Sequence, residues 1–443
     1  MPYNNQNALK LENLVNEAGR PKDTFKKASS DPLLEMEYVS PVNQGRFSTI
    51  GRLESGVSLL QSAQLGIEKT KQWLQEIRQF LEENDHGTHS TNVPISVVNR
   101  FIEDRLIMIE NLVGTSKFQG RKVLDGSYGI KAKTEGKHLK FVRGSARVAS
   151  SPETGFPVQI YQPPKPAILM GKDKVTQTEV DKEKLIALND GSQDVRYRIR
   201  NDETPDSLVR NLRECLLEHH IDVEVFRTQD DRLFFRHNQL GSKNSFKGMS
   251  YKSRLISDIP GQYMSSTPGI DIAGTIGSES AHGDGGFLMG DKGNKYTDGL
   301  VVFYNGTVDF PGQVVGEVHT VQNGIAIPLD SAESAMEMLS LPSIDPNTLA
   351  VGVTNCSGYE NLRSVRVIKD NERFDALKMV IWSIVYLQFL AKELKQKENE
   401  YVERTLDMLK GSTAPFVVND DALFLSKDKA EDMIDQINAM LKK

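Results

Sequence analysis

Leu53, Leu60, Ile67, Leu74 and Leu81 recur every seven positions, with Val57 and Ile77 filling in at three- and four-residue offsets. That spacing predicts a long helix from about Ser48 to Glu83, with one apolar seam built to lie against other helices. Trp73 and Phe80 fall beside the seam. After a turn at Asp85-His86-Gly87-Thr88, Pro94 suits the first turn of a second helix, where its missing amide hydrogen would be unpaired anyway. Val98, Ile102, Ile109, Leu112 and Val113 give this helix an apolar face that ends at Gly114. Two such helices joined by a short connection predict an antiparallel hairpin. Far downstream, Val380, Leu387, Leu394, Tyr401 and Met408 repeat the sevenfold spacing, with Leu377, Ile384 and Ala391 on a parallel line. This helix begins near Asn371 and is stopped by Gly411 and Pro415. Its length matches that of the first, so the two are expected side by side.

Between the helices the period changes. Phe156–Tyr161 and Ala167–Met170 read as short strands separated by the turn and extended-chain signals of Pro163-Pro164-Lys165-Pro166. From Val195 the pattern is β-α-β-β. Tyr197 and Ile199 alternate with arginines, and Thr204-Pro205-Asp206-Ser207 opens a helix carrying Leu208, Leu212, Cys215 and Leu216. Val223 and Val225 then turn through Asp230-Asp231 into Leu233 and Phe235. Residues 269–353 are rich in glycine and short β-prone runs. Leu300–Tyr304 followed by Asn305-Gly306 predicts a hairpin whose return strand is Val314–Val318. Ala332 to Leu339 reads as a short helix. Residues 1–50 sustain no heptads, and Met433, Ile434, Ile437 and Leu441 predict an amphipathic tail helix.

Length and charge narrow the class. At 443 residues the chain exceeds a single core, so several domains are expected. A net charge of −6 speaks against nucleic acid as a partner. Two distant cysteines, Cys215 and Cys356, make no disulfide framework, and Cys215 falls on an apolar helix face as a core residue. No basic region followed by an apolar stretch marks a cleavable signal at the N-terminus. The longest apolar run, Met379 to Ala391, is 13 residues and holds Ser383 and Gln388, too short to span a bilayer.

Candidate chemistry is thin. Gly283–Gly290 has the glycines of a phosphate loop but lacks the preceding βα unit and the Gly-Lys-Ser/Thr ending, so turn and packing glycines are expected. His86 and His89 lack further ligands for a metal. His219-His220 sits at a helix end, where imidazolium suits the dipole and solvent. Asp284, Asp291 and Asp298 lack the alternating oxygens and terminal glutamate of a calcium loop. With no nucleophile elbow or Cys/His pair, the expectation is no catalytic residues, no metal and no cofactor.

Three ordered phrases carry a resemblance. Glu54-Ser-Gly-Val-Ser-Leu-Leu-Gln-Ser-Ala63, then Leu74-Gln-Glu-Ile-Arg78 with the Gly87-Thr88 turn, then Phe118-Gln-Gly-Arg-Lys-Val-Leu-Asp-Gly126 resemble bacterial flagellins, where a helix enters the outer shaft of the filament. His86 and Gln119 stand where that family carries asparagine. Gly269–Gly277, Gly283–Gly290 and Asp298-Gly-Leu300 are similar to the small β-insertion of flagellins and some filament cap proteins, and 195–249 to the β-α-β-β module that often precedes it. The similar segments cover about half of the chain. Residues 1–50 and 412–443 do not match the small-residue-rich helices by which flagellins build the inner tube of the filament.

The expected fold is therefore α+β and multidomain: an antiparallel long-helix bundle, shaft-like, with inserted β-rich domains. Its parts are a divergent arm (1–47), a helical shaft (48–130 with 360–410), a β-rich connection (131–194), a β-α-β-β module (195–260), a glycine-rich β module (261–359) and a tail helix (411–443). The resemblance implies a non-catalytic structural, accessory or decorating component of the extracellular flagellar filament. Its partners would be flagellin or other flagellar subunits, self-association included, with Leu74, Arg78 and Gln79 as a contact surface. The alternative is a cytoplasmic flagellin-like protein that engages export or assembly factors.

Overall fold

The computed structural model describes residues 41–83, 93–191, 193–219, 221–329, 335–353, 358–369 and 372–411. The expected tail helix, the Asp85–Thr88 turn, Cys356 and most of the N-terminal arm lie outside these. In chain order, α1 (Pro41–Glu83) and α2 (Ile95–Thr115) come first, then β1 (Lys117–Phe118), β2 (Arg121–Lys122), β3 (Ile130–Glu135), β4 (Leu139–Arg143) and β5 (Phe156–Gln162). Next are β6 (Pro166–Lys174), α3 (Gln177–Lys182), β7 (Leu185–Asn189), β8 (Asp194–Arg198), α4 (Pro205–Glu218), β9 (Val223–Arg227), β10 (Arg232–Leu240), β11 (Lys247–Ser250) and β12 (Met264–Ser265). A run of strands follows: β13 (Ala273–Ile276), β14 (Glu279–Asp284), β15 (Phe287–Gly290), β16 (Val301–Tyr304), β17 (Gln313–Gln322), β18 (Ile325–Pro328) and β19 (Met336–Leu339). A 3-10 turn (Leu362–Ser364) leads to α5 (Glu372–Gly411). The chain is thus mixed helix and antiparallel sheet, α+β as expected. Helix α1 starts seven residues earlier than its heptads announce.

Two compact units divide the described residues, one drawn from 41–54, 328–336 and 401–411, the other from 55–327 and 337–400. In the first, the opening turns of α1 bury Thr49, Ile50 and Leu53, and the closing turns of α5 bury Tyr401. The second holds two separate β cores. One gathers β6, α3, β7, β8, α4, β9 and β10 around Leu169, Val195, Leu212, Val225 and Phe235. The other fills an eight-stranded sheet ordered β3-β17-β5-β13-β14-β15-β16-β4 with Val158, Ile276, Leu288, Val302 and Val318. Residues 131–194 are therefore shared between the cores: β3 to β5 lie in the large sheet, while β6 and β7 lie in a three-stranded and a four-stranded sheet that pack on the other core.

The large sheet must curl. Its outermost strands, β3 and β4, are joined by only Gly136, Lys137 and His138. Such a link reaches about 14 Å, whereas eight strands laid flat would separate the two edges by about 34 Å. Rolling brings the edges together, and Thr134 Oγ1 donates to Leu139 O at 3.1 Å across the gap. Sheet closure of this kind leaves fewer open edges for stray pairing.

Two local expectations give way. Asn305-Gly306 does not turn β16 back onto β17: β16 pairs with β15 and β4, while β17 pairs with β5 and β3. The intervening residues 305–312 instead form a longer excursion, and Tyr304 donates its hydroxyl to Thr307 O at 2.7 Å. Met336–Leu339, expected in a short helix, is strand β19, paired with β18. The glycine expectation at 283–290 is met. Gly285, at φ 59°, opens the two-residue turn between β14 and β15, and a Cβ at Gly283 would lie 1.7 Å from Ile272 O.

Candidate protein-contact surfaces

The helices bring residues distant in sequence to close range. Phe80 of α1 stacks on Phe101 of α2, ring centroids 4.1 Å apart, and Glu76 pairs with Arg105 at 3.2 Å. Positions that rise on one helix as they fall on the other place α1 and α2 antiparallel. Helix α5 returns along α1 in the same sense: Gln61 and Gln64 donate to Glu398 at 3.0 and 2.9 Å, while Arg373 reaches back to Val93 O at 2.7 Å. The residues between also follow α2. Arg363 holds Glu103 with two nitrogens at 2.8 Å and Glu110 at 2.7 Å, and Asn99 exchanges two hydrogen bonds with the Val367 backbone.

Of the spaced residues, Leu53, Val57, Leu60, Ile67, Leu74, Ile77 and Leu81 are all buried, as are Val380, Leu387, Leu394 and Tyr401; Met408 is half-buried. Leu74 is fully enclosed and so cannot reach an outside partner. Arg78 and Gln79 are exposed, bound within α1 to Glu82 and Glu83 at 2.7 Å each. Helix α2 follows Pro94, whose carbonyl accepts from Val97 and Val98; it buries Val98, Ile102, Ile109 and Val113 as expected and Leu106 besides, while Leu112 is only half-buried.

The phrase after α2 is a small clasp. Gln119 at φ 48° and Gly120 at φ 82° turn β1 into β2, a left-handed pair that right-twisted hairpins prefer. Tyr128 donates its hydroxyl to Phe118 O at 2.6 Å under the Arg121 guanidinium, 4.1 Å from the ring centre. Leu124 occupies the notch that Gly66 leaves in α1, where an added Cβ would sit 2.3 Å from its Cδ1. The clasp thereby fixes the exit from the helices.

A surface the heptads do not announce lies on α5. Trp382, Val385 and Phe389 follow at three- and four-residue steps and are 41, 58 and 47% exposed. Trp382 stacks on Phe287 of β15 at 5.9 Å, and Arg143 of β4 stands 5.7 Å from the Phe389 ring. Beside them burial pushes the Tyr386 phenol up to about 12 against the pull of Arg143, and raises the Glu393 carboxyl. Trp382, Tyr386 and Phe389 fall off both seven-residue lines of this helix. By length and composition α5 is also long and apolar enough to cross a membrane, although its continuous apolar run is short. Within that stretch Val380, Ser383 and Leu387 are fully buried in the protein.

The remaining candidates are dispersed. Asp284 pairs with Lys243, Asp291 with His282 and Asp298 with Arg147, so the three carboxylates serve three separate contacts. Cys215 packs against the core below α4, and burial pushes its thiol up, away from reactivity. His219 bonds back to Cys215 O at 2.9 Å. His86 and His89 lie outside the described residues.

No protein-family model and no curated protein matches the chain. Several solved structures are similar to parts of it. A three-domain structure of the flagellar cap protein FliD from Escherichia coli aligns at 7% identity and a TM-score of 0.31, covering 47% of this chain and 60% of that one. FliC from Burkholderia pseudomallei aligns at 13% identity and a TM-score of 0.29, covering 78 and 99%. Flagellar hook associated protein-3 from Legionella pneumophila aligns at 9% identity and a TM-score of 0.26, covering 90 and 97%. Similarity at this level fixes no family for the chain.

Proposed function

We propose that the chain is a non-catalytic structural, accessory or decorating component of the bacterial flagellar filament, acting through helix and surface contacts. In this reading residues 48–130 and 360–410 form an antiparallel shaft-like bundle, and the residues between them form β-rich outer modules. The observation that carries it is the return of α5 along α1, with Glu398 held between Gln61 and Gln64 and the heptad positions of both helices, half-buried Met408 apart, turned inward. The flagellin-like phrases support it, because the Phe118–Gly126 clasp docks into α1 at Gly66. Flagellin or other flagellar subunits, including further copies of this chain, are the partners, and they meet exposed residues such as Arg78 and Gln79 rather than Leu74. Neither nucleic acid nor a membrane is required.

Cell fractionation tests the proposal. The protein should be recovered with filaments sheared from intact cells. Recovery only in the cytosol would favour a flagellin-like protein that engages export or assembly factors. Purified protein that builds ordinary filaments unaided would remove the accessory role.

A further inference from the structure

We infer that Glu135, Glu317 and His319 form a divalent-metal site that pins an edge of the eight-stranded sheet. The three side chains come from neighbouring strands: Glu135 lies on β3, directly opposite Glu317 on β17, and His319 is two residues further along β17, on the same face. Their ligand atoms all lie within 4.8 Å of one another, with His319 Nε2 at 4.0 Å from Glu135 Oε1 and 3.9 Å from Glu317 Oε2. Those gaps are too long for hydrogen bonds. An ion with bonds of about 2.1 Å to nitrogen and oxygen spans them at a wide angle, and rotation of the two partly exposed glutamates closes the rest.

Two further features point to a ligand. The His319 side chain is 30% exposed, but its Nε2 is shut off from solvent and has no hydrogen-bond partner among the described residues, a costly state for a covered ring nitrogen. The ring packs closely against Gly155, where an added Cβ would lie 3.1 Å from both Cε1 and Nε2 and 3.2 Å from Glu317 Cβ, so no side chain intrudes there. Opposed glutamates on adjacent strands repel each other. Lys133 offsets part of that repulsion, binding Glu135 at 2.8 Å. A dication would neutralise both glutamates and give Nε2 a partner at once. One imidazole with two carboxylates suits a borderline ion such as zinc or cobalt(II) more than calcium, which prefers oxygen alone. Three protein ligands leave positions for water.

The test is titration of the full chain with zinc and with cobalt(II), followed by calorimetry and by the visible absorbance of bound cobalt. One metal per chain should bind, with a rise in melting temperature. His319→Ala should weaken binding by more than about tenfold and abolish the cobalt absorbance, since losing even an outer partner of a ligand costs 10–100-fold. Glu317→Gln, which preserves shape, should do the same while its metal-free melting temperature stays at or above that of the wild type. His282→Ala, at the separate Asp291 pair, should leave binding intact. No saturable binding by the wild type, or undiminished binding by His319→Ala, overturns the inference.

Discussion

Single residues divide into those whose type announces their task and those that only the folded chain explains. Gly120, at φ 82°, is of the first kind; Gln119 beside it is not. Gln119 occupies a left-handed position in a two-residue turn where asparagine is favoured and glutamine is not, so it carries strain at φ 48°. Gln119→Asn should raise stability by about 0.5 kcal/mol, read as a higher denaturation midpoint with an unchanged slope. Glu183 is of the second kind. Nothing in Lys182-Glu183-Lys184 suggests a buried acid, yet the side chain is 1% exposed. Its carboxylate accepts from the amides of Lys184, Leu185, Tyr251, Lys252 and Ser253 and from the Ser253 hydroxyl. Burial opposes ionisation, but the bonds from Ser253 and the neighbouring amides hold the carboxyl below its usual range. Glu183→Ala would strand several buried donors and should cost about 3 kcal/mol, measured by chemical denaturation. Equal stability of the variant would mean that water replaces the carboxylate.

At the scale of elements, periodicity located the helices but could not assign their neighbours. The seven-residue spacing is a physical consequence of burying one face, and every expected α1 position from Leu53 to Leu81 is buried. The spacing is silent about Glu398, a charge within that face whose burial is offset by Gln61, Lys395 and Gln64. It is equally silent about Arg363, which binds two acids seven residues apart on α2 from a segment without regular period. Strands show the same division. The β9–β10 hairpin was legible because alternating residues flank Asp230-Asp231, whereas the partners of β16 and β17 depend on contacts far away in sequence. A pair of substitutions separates seam from surface. Leu387→Ala should cost about 2–5 kcal/mol, because the side chain is fully enclosed and its loss leaves a cavity. Leu65→Ser, on the same helix as the α1 seam but 70% exposed, should change stability by no more than about 0.5 kcal/mol. Thermal melts of the two variants, compared with the wild type, decide whether the seam is a structural one.

For the whole molecule, the sequence conveyed the class and the long helices but not the rolled sheet, whose order interleaves strands nearly 200 residues apart; nor did it show the metal-binding geometry, since Glu135 and His319 meet only through that order. Other long-range contacts set the response to acid. Glu183 and Glu398, both nearly fully buried, and Asp222, bound to Lys378 at 2.9 Å, are each held below their ordinary values once the opposing effect of burial is overcome. A carboxyl with a depressed folded pKa contributes its full stability above its unfolded value, here 3.8 for aspartate and 4.5 for glutamate, and loses it as pH falls through the folded value. Burial lowers the pKa of His237 from 6.5, against the attraction of Asp222, so protonation of the unfolded chain already draws stability away below that pH. Burial raises Glu54 and Glu393, which act in the opposite sense and gain as pH falls. The stranded set is smaller and less enclosed than the paired one. Stability should therefore be level above pH 7, decline shallowly from about 6.5, and fall steeply below about 4.5, with the steep part diminished in Glu398→Gln. Denaturation midpoints measured from pH 3 to pH 8 would refute this balance if stability rose on acidification through the lower range.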